Sequence, residues 1–276
     1  MHELKPDQLP LNEGVRVLAH NEDGLLALEK PSGAMSHPNT PDANARALLT
    51  ADYDLEEECY HWTSEAGKEE KAWLINRLDS PTSGVILLGL NAEISRIIKQ
   101  EFATHKVNKI YYALTRGKPT KPVGVWSDKL TKDTHSGKRL IKKARFVPAK
   151  ARYQTIKSPT GGFPVTLIKL MPVTGRTHQL RVQCKKHGVP IVGDRTYGSF
   201  RFNREVSMLT GVKRLLLHST ETHVHYVYHG KIRNFVAKSA LPDAFAEVLR
   251  YRPGLNPAKP KREDDSAVSD RRFKRV

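Results

Sequence analysis

A nine-residue polar turn, Asn76-Arg77-Leu78-Asp79-Ser80-Pro81-Thr82-Ser83-Gly84, runs without a break into Val85-Ile86-Leu87-Leu88-Gly89-Leu90. A short apolar run bounded by turn residues is the pattern of a buried strand, and such a strand needs a sheet around it. The turn is then a tight loop at the mouth of that sheet. Asp79 stands in it, with Arg77 two residues ahead and the hydroxyls of Ser80, Thr82 and Ser83 beside it. Loops held by a rigid scaffold are where catalytic groups concentrate. Taken alone, the segment is as well read as an Asx turn whose carboxylate accepts backbone N–H bonds.

Charge narrows the choice. A net charge of +17 favours a polyanionic partner, most often nucleic acid. A membrane is the rival, but there is no amphipathic basic helix with an aromatic face and no apolar run long enough to span a bilayer. Residues 1–10 carry no signal-peptide core. Two cysteines, Cys59 and Cys184, argue against a disulfide framework or a zinc site. The expectation is a cytoplasmic, metal-free protein that meets nucleic acid.

Residues 1–14 read as a flexible leader. Short strands are predicted at 15–20 and 25–29, then a loop through Lys30-Pro31-Ser32-Gly33 and Ser36-His37-Pro38. Residues 39–72 are polar and acidic and read as a surface insertion, with a short helix at 43–50. Asn91 is a candidate N-cap for a helix to about His105, whose apolar stripe is Ile94, Ile97, Ile98 and Phe102. Residues 107–116 alternate as a strand, with Lys109, Tyr111 and Ala113 on one side. Residues 118–150 are dense in Lys and Arg and read as a basic hairpin or flap. Paired strands follow at 152–156 and 164–171.

A second informative stretch is Thr174-Gly175-Arg176-Thr177-His178-Gln179-Leu180-Arg181-Val182. Leu180, Cys184 and His187 fall on one helical face, with Gly188 as the C-cap. Asp194 in the following Gly-Asp-Arg reads as a turn residue. Strands at 215–219 and 221–228, a helix at 242–249 and a disordered basic tail at 251–276 complete the chain.

Metal-dependent phosphodiester chemistry wants several carboxylates converging on an ion, yet Asp23, Asp128 and Asp133 lie in poorly organised, mostly basic context. Glycosidic hydrolysis pairs two carboxylates across the scissile bond, and Asp79 has no acidic companion in a structured stretch. A lone aspartate among cations fits nucleophilic catalysis better, because a nearby arginine favours the ionised form.

Arg77-Leu78-Asp79 with Thr82-Ser83-Gly84 resembles the catalytic motif of the RluA family of pseudouridine synthases. Gly175 to Val182, Pro190 to Asp194 and Tyr197-Gly198 are similar to a later motif of that family. Lys30-Pro31-Ser32-Gly33 with His37-Pro38 matches its opening motif, and Lys109-Ile110-Tyr111 its tyrosine strand. The four motifs stand in order over about residues 15–245.

The resemblance implies an α+β fold, a mostly antiparallel mixed β-sheet with flanking helices and a basic active-site cleft, in a catalytic domain over 15–250. It implies isomerisation of uridine to pseudouridine in rRNA or tRNA, without cofactor or metal. Asp79 is then the catalytic aspartate, attacking ribose or base after the target uridine is flipped. Tyr111 is the ring that stacks on the uracil and helps remove the C5 proton, and Arg181 pairs with the aspartate. Arg77 enters the RNA where the base leaves, offsetting part of the unstacking cost. Arg176, Lys142, Lys143 and Arg145 are the further candidate RNA contacts, and a monomer is expected. The family usually carries His before Arg-Leu-Asp; Asn76 stands there in this chain, with altered local hydrogen bonding as the expected consequence. Many relatives carry an N-terminal S4 domain, for which 1–14 is too short. A catalytically silent RNA-binding protein on the same scaffold and, more weakly, a metal nuclease are the competing readings.

Overall fold

The structure is a computed structural model that describes residues 6–38, 45–131 and 146–254. In chain order, β1 (Arg16–His20) and β2 (Leu25–Lys30) form a hairpin. β3 (Asp52–Asp54), β4 (Cys59–Thr63) and β5 (Glu69–Leu74) form a meander leading to β6 (Ser83–Gly89). Then come α1 (Ala92–Ala103), β7 (Asn108–Arg116), β8 (Val123–Thr131), β9 (Phe146–Lys157) and β10 (Val165–Pro172). After α2 (Gln179–Lys186) and α3 (Phe200–Thr210) the chain finishes with β11 (Leu217–Tyr228), β12 (Lys231–Lys238) and α4 (Asp243–Arg250).

The strands join in one mixed sheet, ordered β3-β4-β5-β6-β11-β7-β10-β9-β8, with β1–β2 attached to β6 and β12 to β11. Among the named strand pairs only β6 with β11 is parallel, and over just two residue pairs, His218 with Ser83 and Ser219 with Gly84. The α+β fold with a mostly antiparallel mixed sheet is therefore what the chain adopts.

β6 is buried along its whole length, because alternate side chains feed two different cores. Ile86 and Leu88 pack with Leu26, Leu28, Leu48 and Tyr60. Val85 and Leu87 pack with Leu25, Ala27 and the α1 residues Ile94 and Ile98 on the opposite face. Asn91 caps α1 as expected, its side chain accepting from the Ile94 N–H at 2.8 Å.

Three expectations need correcting. The described part of 39–72 is no surface excursion. It supplies β3, β4 and most of β5, and it buries Leu48, Leu49, Cys59, Tyr60 and Ala72. Its acidic edge strand reads as loop from sequence because charged edges are how sheets avoid pairing with other chains. Residues 6–14 are not a free leader either: Leu9 is buried, and Leu11 bridges to Leu49. The strands expected at 215–219 and 221–228 are one strand, β11, with an irregularity between Ser219 and Glu221. In 118–150 the described residues form β8 and the start of β9, a long antiparallel pair.

One edge of β6 has a gap in it. β5 pairs with its far end through Leu74 and Leu88, and β11 with its near end through Ser83 and Gly84. Between the two, the Leu87 N–H is taken by the Asn76 side chain at 2.8 Å, where a neighbouring strand would otherwise accept it. The chain from Asn76 to Thr82 emerges from this opening. Asn76 therefore seals the sheet edge at the root of the Asp79 loop.

Candidate active site

Asp79 sits at the opening, its side chain 22% exposed, with its own carbonyl closing a turn onto the Thr82 N–H at 2.9 Å. The loop is fastened from beneath. Ser32 Oγ donates to the Pro81 carbonyl at 2.8 Å, Ser80 Oγ to the Gly33 carbonyl at 2.9 Å, and the Gly33 N–H to the Ser80 carbonyl at 2.8 Å. Ser36 both donates to the Leu78 carbonyl and accepts from the Leu78 N–H.

The centre of this fastening is Lys30. Its side chain is fully buried, and its Nζ donates to the carbonyls of Pro31, Ala34 and Ser80 at 3.1, 2.7 and 2.9 Å. Burial lowers its pKa to about 7, with Asp79 pulling it back up and Arg214 pushing it further down. The native state then holds fewer protons than the unfolded chain between pH 7 and the ordinary lysine value, so this group makes stability rise with pH in that window. Urea midpoints at pH 7, 8 and 9 test this: the upward trend is expected in the wild type and is expected to shrink in Lys30→Met.

The loop ends on Ser83 and Gly84. Ser83 Oγ meets His218 Nδ1 at 2.7 Å and accepts from Arg214 Nη2, while His218 Nε2 faces Ser239 Oγ at 2.9 Å. Gly84 has φ +112°, and a Cβ there would overlap the Ser219 carbonyl oxygen. Only glycine permits that approach, which is where the loop enters the parallel contact with β11.

Arg181 reaches Asp79 from α2. The guanidinium is buried and held by three bonds: Nε and Nη2 to the two oxygens of Asp194 at 2.8 and 2.9 Å, and Nη1 to Asp79 Oδ2 at 3.1 Å. Burial opposes its charge, but Asp194 and Asp79 together outweigh that and raise its pKa. Asp194, also buried, accepts from the N–H groups of Thr196 and Tyr197. Burial acts against its ionised form, yet Arg181 and those N–H groups bring its pKa below the usual carboxylate range. The bidentate pair fixes the guanidinium plane and so aims the remaining N–H group at Asp79. His178 stands beside them in the left-handed region, with Nδ1 3.0 Å from the Tyr197 hydroxyl and Nε2 3.9 Å from Asp79. The Tyr197 ring lies 5.1 Å from the Arg181 guanidinium.

Tyr111, on β7, is half-buried and paired with Ser219 of β11, the residue that also meets Gly84 at the end of the Asp79 loop. Burial pushes its phenol up to about 12; the Ser219 hydroxyl pulls the other way and the Asp79 charge adds to the rise. Arg77 is exposed at the loop. Arg176 is exposed too, its Nε donating to the Pro148 carbonyl of β9 at 3.2 Å. Asp79, Arg181 and Tyr111 are thus brought together. Lys142, Lys143 and Arg145, together with the 255–276 part of the tail, lie outside the described residues. Asp23 is bound by Tyr226 and Arg233, and Asp128 by Lys186, Gln183 and His187, so both have structural partners. Sequence reasoning missed the clamp of Asp194 on Arg181 and the depth of Lys30. Neither has a local signal: Lys30 follows Glu29 and reads as the polar end of β2.

An aspartate held by a buried arginine, near a half-buried tyrosine and at a gap in a sheet within a strongly basic chain, is an arrangement suited to carboxylate chemistry on a nucleic acid. Residues 24–186 match the RNA pseudouridylate synthase family. The chain is 33% identical over 241 residues to the tRNA pseudouridine synthase C of Haemophilus ducreyi, covering 84% of this chain and 93% of that one. It is 29% identical over 217 residues to the ribosomal large subunit pseudouridine synthase D of Borreliella burgdorferi, covering 78% and 61%. In fold it is similar to human RNA pseudouridylate synthase domain containing 4, with a TM-score of 0.58 at 22% identity over 84% of this chain and 91% of that one. The chain belongs to the RNA pseudouridylate synthase family, whose enzymes isomerise uridine to pseudouridine in RNA.

Proposed function

We propose that this enzyme modifies tRNA and that Asp79 is its nucleophile. The observation that carries the catalytic part is the single bond from Arg181 to one oxygen of Asp79, with Arg181 itself locked by Asp194. That arrangement keeps a carboxylate oriented at an open site without surrounding both of its oxygens. Arg77, exposed two residues away, enters the space left by the flipped base. Asp79 bonds to the ribose or the base as the glycosidic bond from N1 to C1′ breaks, the uracil turns, C5 joins C1′, and the bond to Asp79 breaks to return the free carboxylate. The C5 proton leaves and N1 gains one, so the product is an isomer and no co-reactant is consumed.

Tyr111 lies against the uracil in this reading. A phenol pushed up to about 12 stays protonated at neutral pH, which supports stacking and gives proton acceptance no support in the resting enzyme. Tyr111→Phe is therefore expected to keep turnover within about tenfold, whereas loss of a required general base would cost about 10²–10⁴-fold. A drop of that second size would return the proton to the phenol.

The tRNA assignment is supported by the relative matched over nearly its whole length, and large-subunit rRNA is the second reading because the Borreliella relative is named a ribosomal large subunit pseudouridine synthase. Tritium release from uracil C5, measured on tRNA and on large rRNA separately, tests both parts. Release from tRNA alone is expected; release from rRNA alone would move the assignment. A monomeric, cytoplasmic enzyme belongs to the same proposal, and sedimentation of the purified chain tests the first of these.

A further inference from the structure

The outer face of α3 is not explained by folding. Its inner face is well used: Phe202 and Val206 pack with Phe163, Val212 and Phe245. Asn203 ties the helix to the active-site segment, accepting from the Gly193 N–H at 2.9 Å and donating to the Asp194 carbonyl at 2.9 Å. On the outside, Phe200 is 82% exposed, and Arg201, Arg204 and Met208 are exposed with it. At about 100° per residue these four side chains fall in one sector of roughly 100°. Arg195, in the turn before the helix, is exposed as well. Among the described residues, Arg195, Arg201 and Arg204 make no ion pair or side-chain hydrogen bond, while Arg16, exposed elsewhere, is paired with Glu29. Glu205 is the single acid on the helix.

The patch is close to the chemistry. Phe200 follows Tyr197 by three residues, a span of at most about 11 Å. Tyr197 carries the hydroxyl bonded to His178 and the ring beside Arg181. A ring exposed among unpaired cations of one sign suits a ligand that offers both a π-face and repeated negative charge. We propose that Phe200, Arg201, Arg204 and Arg195 form a contact for the RNA strand flanking the target uridine: the phenyl ring stacks on an unpaired base and the arginines hold phosphates. The proposal rests on the reading of the neighbouring site as a pseudouridine synthase. A second copy of this chain is disfavoured as the occupant, since a two-fold contact would bring the same arginines against one another.

The test uses full-length protein and C5-tritiated tRNA and large rRNA. If wild type releases tritium from neither, the reading of the catalytic site has failed, and this proposal with it. With wild type active, Phe200→Ala is expected to raise KM about tenfold and leave kcat within about twofold, as loss of one base-stacking platform does. Phe200→Trp is expected to restore KM and Phe200→Leu to leave it high, because stacking needs a ring and apolar packing does not. The double variant Arg201→Glu, Arg204→Glu is expected to raise KM and to flatten the salt dependence of binding by at least one counterion. The proposal is overturned by a wild-type KM and salt slope in the double variant with wild type active, or by restoration with leucine. It is also overturned by a wild-type dimer in sedimentation that Phe200→Ala converts to monomer.

Discussion

Asp79→Asn is expected to lower tritium release by roughly 10⁴-fold or more, the scale on which removal of a catalytic nucleophile acts. The substitution is nearly isosteric, and the amide oxygen still accepts from Arg181 when it faces Nη1, so the loop is expected to stay where Lys30, Ser32 and Ser36 hold it. RNA affinity should therefore remain within a few-fold of wild type. Melting temperatures and filter binding, measured alongside release, separate the two quantities. Wild-type turnover in this variant would remove Asp79 from the chemistry. Lost turnover accompanied by equally lost binding would make it a loop-building residue. Retained binding with no release by wild type, on tRNA and rRNA alike, would favour a silent RNA-binding protein.

The second large effect is expected at a buried residue behind Asp79, Asp194. Asp194→Asn keeps an oxygen for the Thr196 and Tyr197 N–H groups but removes the charge that faces Arg181. A buried guanidinium then retains only Asp79 as an anionic partner. Breaking a buried pair in this way costs about 3–5 kcal/mol, and the guanidinium plane is no longer fixed. Urea denaturation should report the loss, and kcat should fall with little change in KM. The pH dependence has a definite sign. Asp194 has a depressed folded pKa, so its contribution is present above the ordinary carboxylate value of 3.8 and is lost as pH falls through the folded value. Acid unfolding of the variant should be less steep than that of wild type in this range. An unchanged urea midpoint would show that the clamp contributes nothing to stability.

How much of this was legible depended on whether a residue's role was local. β6 and its preceding turn stood out because an apolar run met a cluster of turn formers. α1 was legible for a similar reason, as Asn91 and the stripe ending at Phe102 are both local signals. β5 was hidden because its buried positions include Glu70, which pairs with Lys68 and breaks the alternation. Lys30 reads as the polar end of a strand, and nothing nearby says that three carbonyls will close over it. The contact of Arg181 with Asp79 was reached through the motif they share with a family, since 102 residues separate them. The hold of Asp194 on Arg181 depends on the left-handed His178 and on the turn at 194–197, and neither is a pattern of residue types.

The two-residue parallel contact between β6 and β11 has a consequence for how activity arises during folding. Asp79 is pinned by residues near position 30 on one side and near 218 on the other, and its arginine comes from position 181. Closing those loops requires long-range pairings that form late and slowly in sheet proteins. A nascent chain that has not yet delivered β11 holds every motif of the site in its sequence and lacks the strand that seats the Asp79 loop. Seating of the Asp79 loop is in that sense expected only once β11 has joined the sheet.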